Sequence, residues 1–191
     1  VKHGFSLAPL REEEWPEYDE VVSLLRKAIS KCEAFASPRQ VAEIYVNLAA
    51  AHIAVDHLSR AQTCLEEAFE RCPDGPYVSE RLLDVMEHAE EFYEVEKVYS
   101  KLPPHIASRA DIRLRVAQSL LITRDSEASK RAERMLREIT NDAKKLNPSL
   151  QTWSWGLLTD HLLRGNRLKE LEDIMPSMSF AANCPASLFL L

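Results

Sequence analysis

Apolar residues recur along this chain at the three-to-four-residue spacing of amphipathic helices, and the patterned segments come in pairs. Each pair ends in a break that contains Pro, Gly, Asn or Asp. After a first helix over about 18–36, the pattern predicts helices over about 40–55, 58–71, 77–90, 92–101, 107–123, 126–145, 150–164 and 167–176. Only four glycines occur in 191 residues, fewer than sheets joined by tight hairpins need. We therefore predict an all-α chain.

Residues 43–73, EIYVNLAAAHIAVDHLSRAQTCLEEAFERCP, place small alanines where an amphipathic helix usually carries large residues. Ala49 lies midway along the first helix, and Ala61 and Ala68 lie seven residues apart, on one face of the second. The axes of two packed helices approach to about 8 Å only where the residues at the crossing are small. We therefore predict that the three alanines are contact points between packed helices. Upstream, Ser37, Pro38 and Gln40 have the spacing of a helix N-terminal capping box.

This segment resembles one unit of the tetratricopeptide repeat, a 34-residue helix–turn–helix. Counted from Ala42, the positions that the family prefers are filled by Tyr45, Leu48, Ala49, His52, Ala61, Leu65, Ala68 and Pro73. Only His52 departs from the pattern, since tyrosine is commoner there. The match is clear for residues 42–75 and degenerate elsewhere. The predicted equivalents of Ala68 in the other units are Ala28, Leu102, Ile139 and Met178.

The resemblance implies an α-α superhelix (solenoid) of about five antiparallel helix pairs, with residues 1–191 forming a single helical-repeat array. The expected organisation is a partial repeat over about 18–36, repeats over about 40–73, 76–102, 107–145 and 150–178, and the start of a further helix over about 185–191. Such an array suggests a piece of a longer protein.

In stacked helix pairs, the first helix of each pair lines a concave groove that takes an extended peptide or a partner helix. The resemblance places Asn47 in that groove, where an asparagine can pair with the backbone of a ligand. The corresponding positions along the chain are predicted to be Arg81, Gln118 and Leu157. We therefore expect a non-catalytic scaffold that binds a protein through Asn47, Arg81 and Gln118, within a multiprotein complex.

The sequence carries no motif for catalysis, and we expect no enzyme activity, no cofactor and no metal. The glycines lie too far apart for a phosphate-binding loop. His52 and His161 lie in apolar stretches and are predicted as core or rim histidines. The four cysteines form no CxxC pair and no disulfide framework, which favours reduced thiols in an intracellular protein, in the cytoplasm or the nucleus. No apolar run approaches the ~20 residues that span a bilayer.

The charge is distributed unevenly between the two halves of the chain, which allows a second functional interpretation. Residues 1–100 hold 10 Lys and Arg against 20 Asp and Glu, whereas residues 101–191 hold 14 against 10. In the basic half, Lys130, Arg131, Arg134 and Arg137 lie on or near one predicted helix, where they could contact phosphate. Residues 153–178 also loosely resemble a pentatricopeptide unit, a relative that binds single-stranded RNA. The alternative is therefore an RNA-binding helical-repeat protein, less favoured because the whole chain carries a net charge of −6.

Overall fold

The computed structural model describes residues 15–75 and 77–178, and within them every regular element is a helix. The helices are α1 (Tyr18–Cys32), α2 (Pro38–Ala54), α3 (Leu58–Arg71), α4 (Val78–His88), α5 (Phe92–Lys101), α6 (Pro104–Ala107), α7 (Ala110–Ile122), α8 (Ser126–Asn141), α9 (Pro148–Arg164) and α10 (Leu168–Met178). A 3-10 turn, Ala143–Lys145, follows α8. The prediction of an all-α chain is confirmed. The further helix predicted over about 185–191 lies outside the described residues.

Most helix bounds agree with the prediction, and the differences have local causes. Helix α1 ends at Cys32, earlier than predicted, because the chain must be extended at Ser37, directly before Pro38. The segment predicted as 126–145 divides into α8 and the 3-10 turn. The capping box is present, since the Gln40 amide donates to Ser37 Oγ (3.3 Å) and the Ser37 amide donates to Gln40 Oε1 (2.9 Å).

The described residues divide into two compact units, one that ends at Glu91 and one that begins at Phe92. In the first unit, α2 packs against both α1 and α3, and α3 packs against α4. Ala49, Ala61 and Ala68 are all 0% exposed, as expected of residues at close helix contacts. In the second unit, α7 packs against α5, α8 and α9, and α9 also packs against α8 and α10. The largest fully buried side chains there are Ile112, Leu114, Leu136, Leu158 and Leu162.

One backbone feature recurs between consecutive helices: a residue other than glycine with a positive φ. Tyr77 (62°) has it directly before α4, and four other residues have it two positions after a helix ends: Asp56 (59°), Glu90 (58°), Arg124 (56°) and Asn166 (52°). Of these four, the first three are spaced by 34 residues, and the last follows after 42. The spacing of 34 equals the length of a tetratricopeptide unit.

Three of these connections also share one hydrogen-bond pattern. The amide after the left-handed residue donates to the carbonyl five residues before it, at 2.9 Å in each case: His57 to His52, Glu91 to Met86, and Arg167 to Leu162. The left-handed residue itself donates three residues back, as Asp56 does to Ile53. This pair of bonds is the Schellman motif, which satisfies the last carbonyls of a helix.

The recurring turn corrects the repeat register that the sequence suggested. Ala68 lies twelve residues after Asp56, and the residue twelve after Arg124 is Leu136, which is 0% exposed. Counted from the turns, Leu136 rather than the predicted Ile139 corresponds to Ala68, and both side chains are buried (0% and 4% exposed). The two registers differ by three residues in this part of the chain.

A buried polar cluster lies in the first unit. The Tyr18 hydroxyl lies 2.7 Å from Nδ1 of His52 and 2.9 Å from Nδ1 of His57. A phenol has one proton, so it donates to one imidazole and accepts from the other. Because the Arg60 guanidinium can only donate, and lies 3.4 Å from His57 Nδ1, that nitrogen carries a lone pair. We therefore assign a chain of bonds in which His52 Nδ1–H donates to Tyr18 and Tyr18 donates to His57.

With the proton on Nδ1, Nε2 of His52 is a hydrogen-bond acceptor. It is buried and has no donor among the described residues. His52 is 1% exposed, so the predicted core position is confirmed, although only one ring nitrogen is satisfied. Burial lowers the pKa of His52 below its ordinary value, and the positive charges of Arg60 and Arg26 lower it further. The imidazole therefore stays neutral in the fold at a pH where the unfolded chain is already protonated.

Replacing Ala61 by leucine should overpack the helix contact and lower the free energy of unfolding by about 1–3 kcal/mol. Urea denaturation followed by circular dichroism measures the change. Ala50→Leu is the matched control, because Ala50 lies on α2 but is exposed. It should change stability by only a few tenths of a kcal/mol. Equal stability of Ala61→Leu and the wild type would place Ala61 away from any close contact.

Stability should fall as pH decreases below about 6.5, the ordinary pKa of histidine, until the lowered pKa of His52 is reached. In that window the unfolded chain binds a proton that folded His52 does not, so the slope reaches at most about 1.4 kcal/mol per pH unit. Above this window the stability is fully present. Urea denaturation between pH 7.5 and pH 5, in ~0.5-unit steps, measures the slope.

His52→Gln should flatten this pH dependence, whereas His105→Gln, at an exposed position on α6, should leave it as in the wild type. The test compares the slopes of the free energy of unfolding against pH. A loss of stability that is the same at every pH therefore does not affect it. An unchanged slope in His52→Gln would show that another group is responsible.

Candidate functional site

One face of α2 is left uncovered by the helices that pack against it. Asn47 and Ala50 are exposed on this face, and Val46 and Ile53 are half-buried beside them. The spacing of three and four residues places these side chains on one side of the helix. Among the described residues, Asn47 makes no side-chain hydrogen bond. An exposed amide beside apolar side chains can bind a peptide group through one donor and one acceptor while the apolar residues contact the ligand.

Arg81 occupies the corresponding position on α4. It lies nine residues before the left-handed Glu90, as Asn47 lies nine residues before Asp56. Its side chain is exposed and forms no ion pair with a described residue. Leu82 and Leu83 next to it are fully buried and anchor α4. Asn47 and Arg81 therefore share a repeat position, but no hydrogen bond between the described residues joins them.

Gln118 does not share that repeat position. Nine residues before Arg124 stands Arg115, whereas Gln118 lies six residues before it, as Ala50 does before Asp56. The predicted series Asn47, Arg81 and Gln118 therefore becomes Asn47, Arg81 and Arg115 in the register of the turns. Gln118 remains an exposed residue of α7 and makes no side-chain hydrogen bond to the described residues.

Most of the predicted basic surface on α8 is neutralised by carboxylates. Lys130 donates to Glu127 at 2.7 Å. Arg131 donates to Glu96 of α5 at 2.8 Å. Arg134 is the exception, because it is exposed and has no hydrogen bond or ion pair to a described residue.

The fourth basic residue, Arg137, belongs to a network that joins α8, α9 and α10. It donates to Glu133 at 2.8 Å and to Glu170 at 2.6 Å, and Arg167 contacts the same two carboxylates. His161 Nε2 lies 3.2 Å from Glu133, so this predicted rim histidine is a member of the network. Hydrogen bonds, first from Arg167 and then from Arg137 and His161, lower the pKa of Glu133 to about 2. The network has the character of a structural ion-pair cluster.

Three helices of the second unit enclose a groove of about 300 Å³. Its lining residues are Glu96 and Tyr99 of α5, Arg113, Val116 and Leu120 of α7, and Arg131, Arg134, Met135 and Glu138 of α8. The sequence pointed to Arg131 and Arg134 as a helix surface, but not to the groove. The helical spacing of Arg131, Arg134 and Glu138 indicates a shared face, whereas their neighbours on α5 and α7 follow only from tertiary packing.

Metal-ligating groups and thiols are the other candidate chemistry of the described residues. No group of three His, Cys, Asp or Glu side chains within residues 15–75 and 77–178 could hold a metal ion. Cys32, Cys64 and Cys72 are free thiols, and burial raises the pKa of the Cys64 thiol, which disfavours the reactive thiolate. In these same ranges, no helix combines the length and apolarity needed to cross a membrane.

No protein-family model matches the sequence, and a comparison with curated proteins finds no match.

Proposed function

We propose that this chain is a tetratricopeptide-like superhelix that acts as a non-catalytic scaffold for protein–protein interaction within a larger assembly. The first helix of each pair would form a groove for an extended peptide or a partner helix. Support comes from the 34-residue spacing of Asp56, Glu90 and Arg124, and from the fully buried alanines of α2 and α3. An intracellular location fits the three free thiols of the described residues.

The exposed face of α2 carries the proposal. Asn47 has no described hydrogen-bond partner, and the half-buried side chains of Val46 and Ile53 lie on the same side of α2. A ligand peptide group could satisfy both its donor and its acceptor, while apolar ligand atoms cover the neighbouring side chains. A merely solvated polar face would not need apolar side chains next to the amide.

RNA binding is the second candidate, and the charge pairing on α8 argues against it. Three of the four predicted cations already contact carboxylates, so phosphate groups would have to displace Glu127, Glu96, Glu133 or Glu170. Binding to RNA backbone depends on cations that can release counterions from several phosphates. A single unpaired Arg134 supplies little of that interaction.

Replacing Asn47 and Arg81 together by alanine should weaken partner binding and leave thermal stability nearly unchanged, because both side chains are exposed. Each backbone hydrogen bond contributes roughly 0.5–1.5 kcal/mol net, so the loss should be about 2- to 12-fold per residue. Quantitative affinity purification of the tagged chain from its native cells, followed by titration of the recovered partner, measures the effect. Asn141→Ala is the matched control, because Asn141 is exposed at the end of α8 and has no described partner.

Retention of the same partners at wild-type affinity by the double variant would contradict the proposed groove. A parallel titration with labelled single-stranded RNA at physiological salt should show no binding. A sub-micromolar RNA complex that weakens steeply with salt and is lost in Arg134→Glu would favour the RNA-binding alternative. Arg134 is suited to this test because its reversal breaks no ion pair among the described residues, unlike reversal of Arg131 or Arg137.

A further inference from the structure

We propose that the groove enclosed by α5, α7 and α8 is a second docking site, for an acidic peptide segment that inserts one apolar side chain and places a neighbouring carboxylate against Arg134. This inference goes beyond the role of Asn47, and it assumes, as the proposed function does, that the chain binds proteins.

The floor of the groove is apolar. Val116 and Leu120 of α7 are almost fully buried, and Met135 and Tyr99 are partly exposed at the sides. The Tyr99 hydroxyl donates to the Ala107 carbonyl at 3.2 Å, which fixes the position of the ring. Methionine adapts its shape to different neighbours. A volume of about 300 Å³ is at the lower end of the range for ligand pockets, so it suits one large side chain.

Two ion pairs bound the groove and hold its helices. Arg131 of α8 pairs with Glu96 of α5, and Arg113 of α7 pairs with Glu138 of α8. Their charges are satisfied, so they form a polar rim around the apolar floor. On α8, Arg134 lies three residues after Arg131 and four before Glu138, which places all three on one face. Arg134 is therefore an unpaired guanidinium between two neutral pairs.

The charges of the lining select the kind of partner. Three arginines and two glutamates give the groove a net charge of +1, and the only unpaired charge in the described lining is Arg134. One carboxylate would satisfy it, and a guanidinium can bind a carboxylate through two parallel hydrogen bonds. A polyanion such as RNA would bring several phosphates close to Glu96 and Glu138 at the rim. A peptide with one acidic residue beside an apolar residue fits the groove better.

A phage-displayed library of random 12-residue peptides, selected against the whole chain, tests the proposal. Selected peptides should carry Asp or Glu within about three residues of an aromatic or large aliphatic residue, since that spacing joins Arg134 to the floor. A synthetic copy of the most enriched peptide should bind Arg134→Glu at least about tenfold more weakly than the wild type, as expected for loss of a charge-assisted pair. Isothermal titration calorimetry measures the affinities.

Lys130→Glu is the matched control, because Lys130 makes the same charge change one turn away on α8 and does not line the groove. It should bind the peptide within about twofold of the wild type. Met135→Ala should weaken binding several-fold with the arginine intact. Selection repeated on Arg134→Glu should enrich basic peptides instead, a result that loss of folding could not produce. Circular dichroism should show unchanged melting for Arg134→Glu, since this side chain is exposed.

The proposal would be overturned if selection gave no acidic enrichment, or if the peptide bound the wild type and Arg134→Glu equally. A labelled single-stranded oligouridine is tested for competition with the peptide on the wild-type chain and for binding to Arg134→Glu. Competition on the wild type, with no binding to the variant, would show that RNA, and not a peptide, occupies the groove. If the Asn47 and Arg81 double variant lost its native partners while Arg134→Glu left the binding of every peptide unchanged, the second site alone would be refuted. No protein partner in either experiment would refute both proposals.

Discussion

In four connections, the chain leaves a helix through a single residue in the left-handed conformation two positions after the helix ends, and none of the four is a glycine: Asp56, Glu90, Arg124 and Asn166. A left-handed residue other than glycine costs roughly 1–2 kcal/mol, less for Asp and Asn, whose side chains bond locally. Schellman bonds at three of these turns, and burial of the residue four positions earlier at all four, offset this strain. Those earlier residues are His52, Met86, Leu120 and Leu162, all almost fully buried.

The sequence predicted the helices well because their apolar spacing, proline breaks and capping box are local signals. The complete burial of Ala49, Ala61 and Ala68 was also predicted from the local pattern, because closely packed helices need small residues where they cross. The turn at Arg124 falls in the predicted break between 123 and 126, but counted from this turn Arg115 and Leu136 take the places predicted for Gln118 and Ile139. The apolar pattern could not separate the two registers, because Leu136 and Ile139 lie three residues apart on one face of α8 and are both buried.

Electrostatic pairing across helices separates the two functional alternatives, and it could not be predicted from the sequence. The sequence shows a row of cations on α8, which would suit RNA binding, but it does not show which side chains of other helices lie beside them. In the fold, Glu96, Glu133 and Glu170 lie against that row and neutralise most of it. Two of the accessible surfaces in the described residues are a polar and apolar face on α2 and the unpaired Arg134 beside an apolar groove. Both surfaces suit peptide recognition better than phosphate binding.

Native-state hydrogen exchange at the helix-to-helix turns tests the central claim most directly. The amides of His57, Glu91 and Arg167 each donate to a carbonyl at 2.9 Å, so the account predicts exchange at least about a hundredfold slower than in an unstructured peptide. Asp125 provides an internal comparison, because its amide has only a 3.5 Å contact to Thr123 Oγ1 and should exchange quickly. Exchange of all three turn amides at the rate of an unstructured peptide would contradict the recurring turn and the repeat built on it.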